Sequence, residues 1–370
     1  MAQAPAVFCV CFGGVCLMLG LFPPGLSHVA PNGPFRTVLD PSGKPVAIAS
    51  PYGGSAFFAP FLQEYLLVSQ ETGSVVAMSA SDFRYINHED SLLAKIYPGL
   101  LHLNESISRR FSPAGNLEAM LQLRPGAIFA YSLSYAEPLR RLGLPVISFP
   151  IIRGKIPQSD YYRHALQYER VLGITGRADE LWKRFQAGFA RLKAELGDVT
   201  VRPRVMLALT KQPDNSFQVV GGGELLGDFL YLAGGRALDN AGRAFLNPEQ
   251  VMMQNPDVIL LLSLTELSPA DFYSDPRFAS LSAVRSRRVY KVPTGILDSQ
   301  TFPNNIVESP LFCEWLAELI HPEVMPRDLR PVIRSTYAAV FGYTISNPEL
   351  DRILSLNANA ASMGYRRFEQ

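Results

Sequence analysis

The chain is poor in the residues that build metal and redox centres. Of 370 residues, 4 are cysteine and 5 are histidine. Cys9, Cys11 and Cys16 all fall in the amino-terminal run, which leaves Cys313 alone in the body. A single thiol makes no internal disulfide, and in an apolar helical stretch it reads as a small buried hydrophobe. His28, His88, His102, His164 and His321 are scattered, with no His-x-His and no His-Glu-x-x-His. The pattern speaks against a transition-metal site of clustered imidazoles, and each lone histidine reads as a surface or helix-end residue. No block of like charge appears, and the formal net charge is +1. The electrostatic footprint of a general nucleic-acid binder is therefore missing. No acid, base and nucleophile fall into a catalytic pattern either.

What is present is a globular composition, 48% hydrophobic and 18% charged, long enough for two domains. Ala4 to Phe22 is almost wholly apolar or small, Pro23-Pro24 follows, and the first basic residue is Arg36. Residues 1–30 read as an export signal, with a retained membrane anchor or a lipid at Cys16 as the alternatives. The expected location is periplasmic or otherwise extracytoplasmic.

Arg177 to Gly197 is the longest amphipathic stretch. Ala178, Leu181, Trp182, Phe185, Phe189, Leu192 and Leu196 share one helical face, and Gly176 and Gly197 bound it. The segments on either side follow one plan. Asn116-Leu-Glu118 leads through a short helix to Pro125 and an apolar run, and Asn247-Pro-Glu249 leads to Pro256 and another. Strand and helix signals alternate in both halves. In the first half, strands are expected at Pro45–Ser50, Val75–Ser79, Ala127–Tyr131 and Pro145–Phe149, with a helix over Phe57–Val68. In the second, strands are expected at Arg204–Leu209, Phe217–Val220, Val258–Leu262 and Arg288–Val292, before a helical tail. The expected fold is α/β: two lobes, each a parallel helix-flanked sheet, joined by one long spine helix with the ligand cleft between them. The boundaries read 36–160 for the first lobe, 161–198 for the linker with the spine, and 199–357 for the second lobe and tail.

Ordered stretches across residues 36–356 resemble a known family. They include Asn116-Leu-Glu with Leu123-Arg-Pro-Gly-Ala-Ile, Val171-Leu-Gly-Ile-Thr-Gly-Arg-Ala, Leu232-Ala-Gly-Gly-Arg and Asn255-Pro-Asp-Val-Ile. Asp275-Pro-Arg-Phe-Ala-Ser-Leu continues the series, and Glu314-Trp-Leu-Ala-Glu-Leu-Ile-His-Pro-Glu closes it. The chain is similar to the helical-backbone substrate-binding proteins of ABC importers for iron chelates, haem and cobalamin. The resemblance implies a monomer that is no enzyme and has no cofactor of its own. It would capture a metal chelate, first a ferric siderophore-type complex, then corrinoid, haem, molybdate or tungstate. It would pass that solute to a permease with ATPase subunits. One acidic residue on each lobe would meet permease arginines, here Glu118 and Glu249. The first cleft loop, Pro51-Tyr-Gly-Gly-Ser-Ala, departs from the family's Pro-Ser-x-Thr-Glu.

Residues expected to follow strands are the candidate ligand contacts. Tyr52, Tyr131 and Ser132 stand at predicted strand ends, where a tyrosine can stack on a flat chelate. Gly53, Gly54 and Ser55, and Gly221, Gly222 and Gly223, offer backbone N–H groups to an anion, or serve as tight turns. Arg84, Arg153 and Lys211 could pair with oxyanion groups. The second class of function is an α/β enzyme using the glycine loop for a nucleotide.

Overall fold

The computed structural model describes residues 35–49, 52–57, 61–78, 91–103, 121–130, 133–149, 159–222, 224–238, 244–262, 266–297, 305–325 and 329–369. The expected export signal with Cys9, Cys11 and Cys16 lies outside the described residues, as do Arg84, Glu118, Tyr131, Ser132, Arg153 and Gly223. No described helix is long and apolar enough to cross a membrane.

The chain opens with a hairpin of β1 (Phe35–Leu39) and β2 (Pro45–Ala49). Asp40 Oδ1 accepts from the backbone N–H of Ser42 and of Lys44, both at 2.9 Å, and Gly43 takes φ +81°. Five residues of turn are too few for a parallel crossover, so β2 pairs back on β1. This corrects the expectation that Pro45–Ser50 is the first parallel strand. That place belongs to β3 (Ser55–Phe57), within a segment expected to be turn and helix start.

β3 leads to α1 (Phe61–Ser69), β4 (Val75–Met78), α2 (Leu92–Ile96), β5 (Ala127–Ala130), α3 (Leu133–Arg141) and β6 (Val146–Ser148). The four strands form a parallel sheet in the order β4-β3-β5-β6. α4 (Ser159–Leu172) covers one face. Its Tyr168 stands 5.1 Å from Phe129 and 5.4 Å from Phe149, and Tyr65 of α1 stands 4.8 Å from Phe57, centroid to centroid.

The spine, α5 (Arg177–Leu196), forms where its periodicity predicts. Gly176 enters at φ +96° and Gly197 leaves at φ +59°. Glu169 of α4 caps it, its Oε1 accepting from Ala178 N at 2.9 Å. Trp182, Phe185 and Phe189 form a ladder of rings along it, reaching Tyr162 of α4 at one end and Phe229 at the other.

The second lobe contains β7 (Arg204–Lys211), β8 (Phe217–Val220), α6 (Leu225–Leu232), β9 (Arg236–Ala237), β10 (Ala244–Leu246), α7 (Pro248–Gln254), β11 (Val258–Leu261), α8 (Pro269–Ser274), α9 (Ser282–Arg285) and β12 (Val289–Lys291). Its sheet runs β10-β8-β7-β11-β12, with β9 beside the start of β7. β7, β9, β11 and β12 are parallel, while β8 and β10 add an antiparallel edge. The reason is again turn length: Gln212 to Ser216 closes a hairpin, with Asp214 Oδ1 accepting from Ser216 N at 2.9 Å.

α10 (Glu308–Ile320), α11 (Leu329–Phe341) and α12 (Asn347–Ile353) complete the fold. α10 is buried throughout, so its acids find cations: Arg191 meets Glu314 at 2.6 Å and Arg367 meets Glu318 at 3.1 Å. Cys313 is buried there with its thiol pKa raised by burial, as expected of a packing residue. The tail protects the edge of β12. Asn359 accepts from Lys291 N at 2.7 Å and donates to Lys291 O at 2.9 Å, so a side-chain amide replaces a neighbouring strand. One apolar core runs from Val38 through α5 to Phe368, across both lobes.

Candidate ligand cleft

In parallel sheets the ligand lies beyond the carboxyl ends of the strands. In the first lobe those ends are Phe57, Met78, Ala130 and Ser148, and in the second Lys211, Leu261 and Lys291. α1 and α4 run antiparallel to the strands, so their first turns stand at the same end. Two ring contacts fix this: His164 lies 4.4 Å from Phe149 just past β6, while Tyr168 reaches Phe129 inside β5.

Tyr52, Gly53, Gly54 and Ser55 sit at the other end. Tyr52, Gly53 and Gly54 precede β3 and Ser55 is its first residue, so they stand where a strand of the parallel sheet begins rather than where one ends. Gly54 O accepts from Gly126 N at 2.8 Å, and a Cβ at Gly126 would come within 2.9 Å of the Tyr52 ring. The Tyr52 hydroxyl bonds Ser55 Oγ, and Tyr65 donates to Ser74 Oγ at 2.6 Å. Burial, with Tyr65 beside it, pushes the Tyr52 pKa up, so the group is a neutral phenol and not a phenolate. These residues knit the amino ends of β3, β4 and β5 together.

The glycine loop and Lys211 also part company. Because β8 is antiparallel, Val220 pairs with Leu207 near the middle of β7, while Lys211 pairs with Phe217 at its far end. Gly221 and Gly222 thus leave the sheet away from Lys211. A Cβ on Gly227 would lie 2.5 Å from Gly221 O, so the glycines serve a tight strand-to-helix turn. Lys211 keeps its place at the cleft end, exposed.

Sequence reasoning missed three groups there. On the first lobe His164 Nδ1 meets Glu64 Oε2 at 3.0 Å, joining the second turn of α4 to the first turn of α1. His164 is half-buried in a pair, not a lone surface residue. On the second lobe Lys291 ends β12 half-buried, its Nζ donating to Leu262 O at 3.3 Å and Leu267 O at 3.1 Å. Burial lowers its pKa and the nearby Asp271 carboxylate works against that. The usable signal was position: each lies at a strand end or in the helical turns that follow one.

Residues 111–294 match the family model described as periplasmic binding protein. The chain belongs to that family. Its class is the one with a helical backbone between the lobes. No curated protein matches this binding protein. Among solved structures, a periplasmic solute binding protein from Veillonella parvula is 22% identical with a TM-score of 0.75, over 88% of this chain and 99% of that one. CeuE from Helicobacter pylori with Ni(II) bound is 20% identical with a TM-score of 0.66, over 86% and 99%. MolA from Haemophilus influenzae, bound to molybdate, is 19% identical with a TM-score of 0.66, over 84% and 99%. These likenesses carry the two-lobed fold. A binding protein of this family serves an ABC importer by holding a solute for transport and is not an enzyme.

Proposed function

We propose that this binding protein captures an anionic metal complex, first a ferric siderophore-type chelate, outside the cytoplasmic membrane and delivers it to an ABC permease driven by ATPase subunits. The observation that carries the reading is the second-lobe rim, where Lys211 ends β7 and Lys291 ends β12 on either side of β11. Two ammonium groups at the carboxyl ends of a sheet favour a ligand with carboxylate, catecholate or oxyanion edges. The opposing wall offers the His164–Glu64 pair over an aromatic floor, which suits a bulky, partly flat complex. Arg84, Tyr131, Ser132 and Arg153 would add contacts on the first lobe, and Glu118 and Glu249 would meet the permease.

A ligand that binds only the folded state raises the melting temperature. Purified protein is therefore melted with ferric siderophores, haem, cobalamin, molybdate and tungstate, and material from the native host is assayed for metal and absorbance. A ferric chelate is expected to give the largest rise. A rise with haem, cobalamin or an oxyanion alone would move the assignment to that solute. No rise with any of them would overturn the metal-complex reading.

A further inference from the structure

We infer that the end of the second lobe opposite the cleft is a docking face for an anionic bilayer surface. Arginines gather there at the amino ends of the parallel strands. Arg204 opens β7, with Arg202 just before it, and pairs in register with Arg236, which opens β9. Arg288 precedes β12, where its carbonyl accepts from Ile259 N of β11 at 3.0 Å. Arg285 ends α9 and Arg287 follows it at the same end. These residues come from three separate stretches of sequence, so no basic block announces the face.

Acids at this end are fewer and partly engaged. Asp257 Oδ2 accepts from Arg204 N at 2.8 Å. Glu323 stands 3.5 Å from His321, whose Nε2 lies 3.0 Å from Gly234 O in the turn before β9. Asp198 follows the end of the spine, exposed. Arg236 and Arg285 are exposed, and among the described residues neither has a carboxylate partner. The face therefore keeps an excess of positive charge.

Apolar side chains flank the arginines. Val201 is 75% exposed beside Arg202. Tyr231 is 61% exposed, with the Arg202 guanidinium 4.1 Å over its ring and Arg202 Nη1 donating to its carbonyl at 2.7 Å. Beyond β12, Met363 is 64% exposed, and its N–H donates to Arg287 O at 2.8 Å. From β9 to β12 is three strand spacings, about 14 Å. A protein partner would be gripped by anchors clustered at the centre of a patch, whereas these stand on its two sides with the charges between them. A soluble polyanion would need the arginines alone. A lipid surface uses both: arginines meet phosphates, while tyrosine and aliphatic groups enter the headgroup boundary. A protein resting on this face keeps its cleft turned away from the bilayer and open to solute.

The test is partition onto vesicles of phosphatidylcholine alone or with about 30% phosphatidylglycerol, at about 0.05 M and about 0.5 M salt. It needs no solute, so its failure leaves the transport reading standing. Residues 1–30 carry no Asp, Glu, Lys or Arg, so any hold they have on lipid is common to both vesicles and cancels in the ratio. The parent protein is expected to prefer anionic vesicles about tenfold at low salt and to lose that preference at high salt. Arg236→Glu with Arg285→Glu should abolish the preference. Arg163→Glu with Lys183→Glu, the same change of charge at exposed sites elsewhere, should keep most of it. Val201→Ser with Tyr231→Ser should weaken binding to anionic vesicles about fivefold. The docking face is overturned if the parent shows no preference, or if both charge-reversed pairs lose it equally. Undiminished binding by the serine pair would also overturn it, and displacement by soluble polyphosphate would then assign the arginines to a soluble polyanion.

Discussion

Glu308 is a carboxyl buried among neutral donors: the Tyr337 hydroxyl, the Asn305 amide and the Ile296 N–H. Burial raises its pKa above the ordinary 4.5, while the three donors act the other way. The folded protein therefore keeps a proton that the unfolded chain has already released. Stability must fall as pH climbs from 4.5 through the raised value. Glu308→Gln removes that fall, because an amide does not titrate there. It also brings a second amide NH2 against Asn305 Nδ2. Asn305 cannot turn over, since its Oδ1 already accepts from Val307 N and Glu308 N at 2.9 Å each. An opposed buried donor costs about 1–3 kcal/mol. Urea midpoints of the variant should lie below those of the parent at low pH, with the gap narrowing as pH rises. A gap that is constant with pH would show that Glu308 is ionised throughout. None of this was legible in sequence, where nothing singles out Glu308. Tyr52 shows the converse. Tyr52, Gly53 and Gly54 lie outside helix and strand, but a shift of one strand puts them at the end of the sheet away from the ligand.

Elements were more legible than their ends. The spine follows from one apolar stripe between two glycines, and α2 from Leu92–Ile96. What sequence could not supply was strand direction at the edges. The apolar runs at β2 and β8 look like any parallel strand. Only the turn length before each, five residues, shows that they double back, and that clue was available in Asp40–Lys44 and Gln212–Ser216. The packing of α10 on α5 was invisible too, because it depends on an absent side chain. A Cβ on Gly188 would stand 2.7 Å from Pro310 Cβ. Gly188→Ala gains about 1 kcal/mol of helix propensity. It also overpacks a contact against a rigid ring in a buried helix, at about 1–3 kcal/mol. The second effect is the larger, so the variant should melt lower than the parent despite its better helix former. Pro310→Gly on the same background, which removes the Cβ that the new methyl meets, should recover part of the loss. A Gly188→Ala protein that melts higher would mean that α5 and α10 part more easily than their contact implies.

At the scale of the whole molecule, a net charge of +1 with no charged block gives little long-range attraction to any partner. Recognition by a permease must then rest on local groups. Glu249 is exposed in the first turn of α7, just after the Asn247 cap whose side chain accepts from Gln250 N at 2.8 Å. Met253 follows one turn later on the same face, 85% exposed, so an acid and an apolar side chain stand together. Arg277 feels the Glu249 charge but is engaged by Asp275 at 2.6 Å, which leaves the carboxylate available to a partner cation. The competing account is that Glu249 only complements the positive end of its own short helix, worth about 0.3–1 kcal/mol. The two differ in what a reversed charge does. Under the helix account, Glu249→Arg lowers the melting temperature slightly and leaves uptake alone. Under the docking account, Glu249→Arg, and more so its combination with Glu118→Arg, leaves solute affinity intact. Association with the permease slows, most at low salt where steering is least screened. Transport assays on reconstituted permease, run at two ionic strengths, separate them. We expect the double variant to bind solute normally and to fail in delivery, because like charges would then face each other across the contact. Normal uptake by a folded double variant would place the docking surface elsewhere on the lobes.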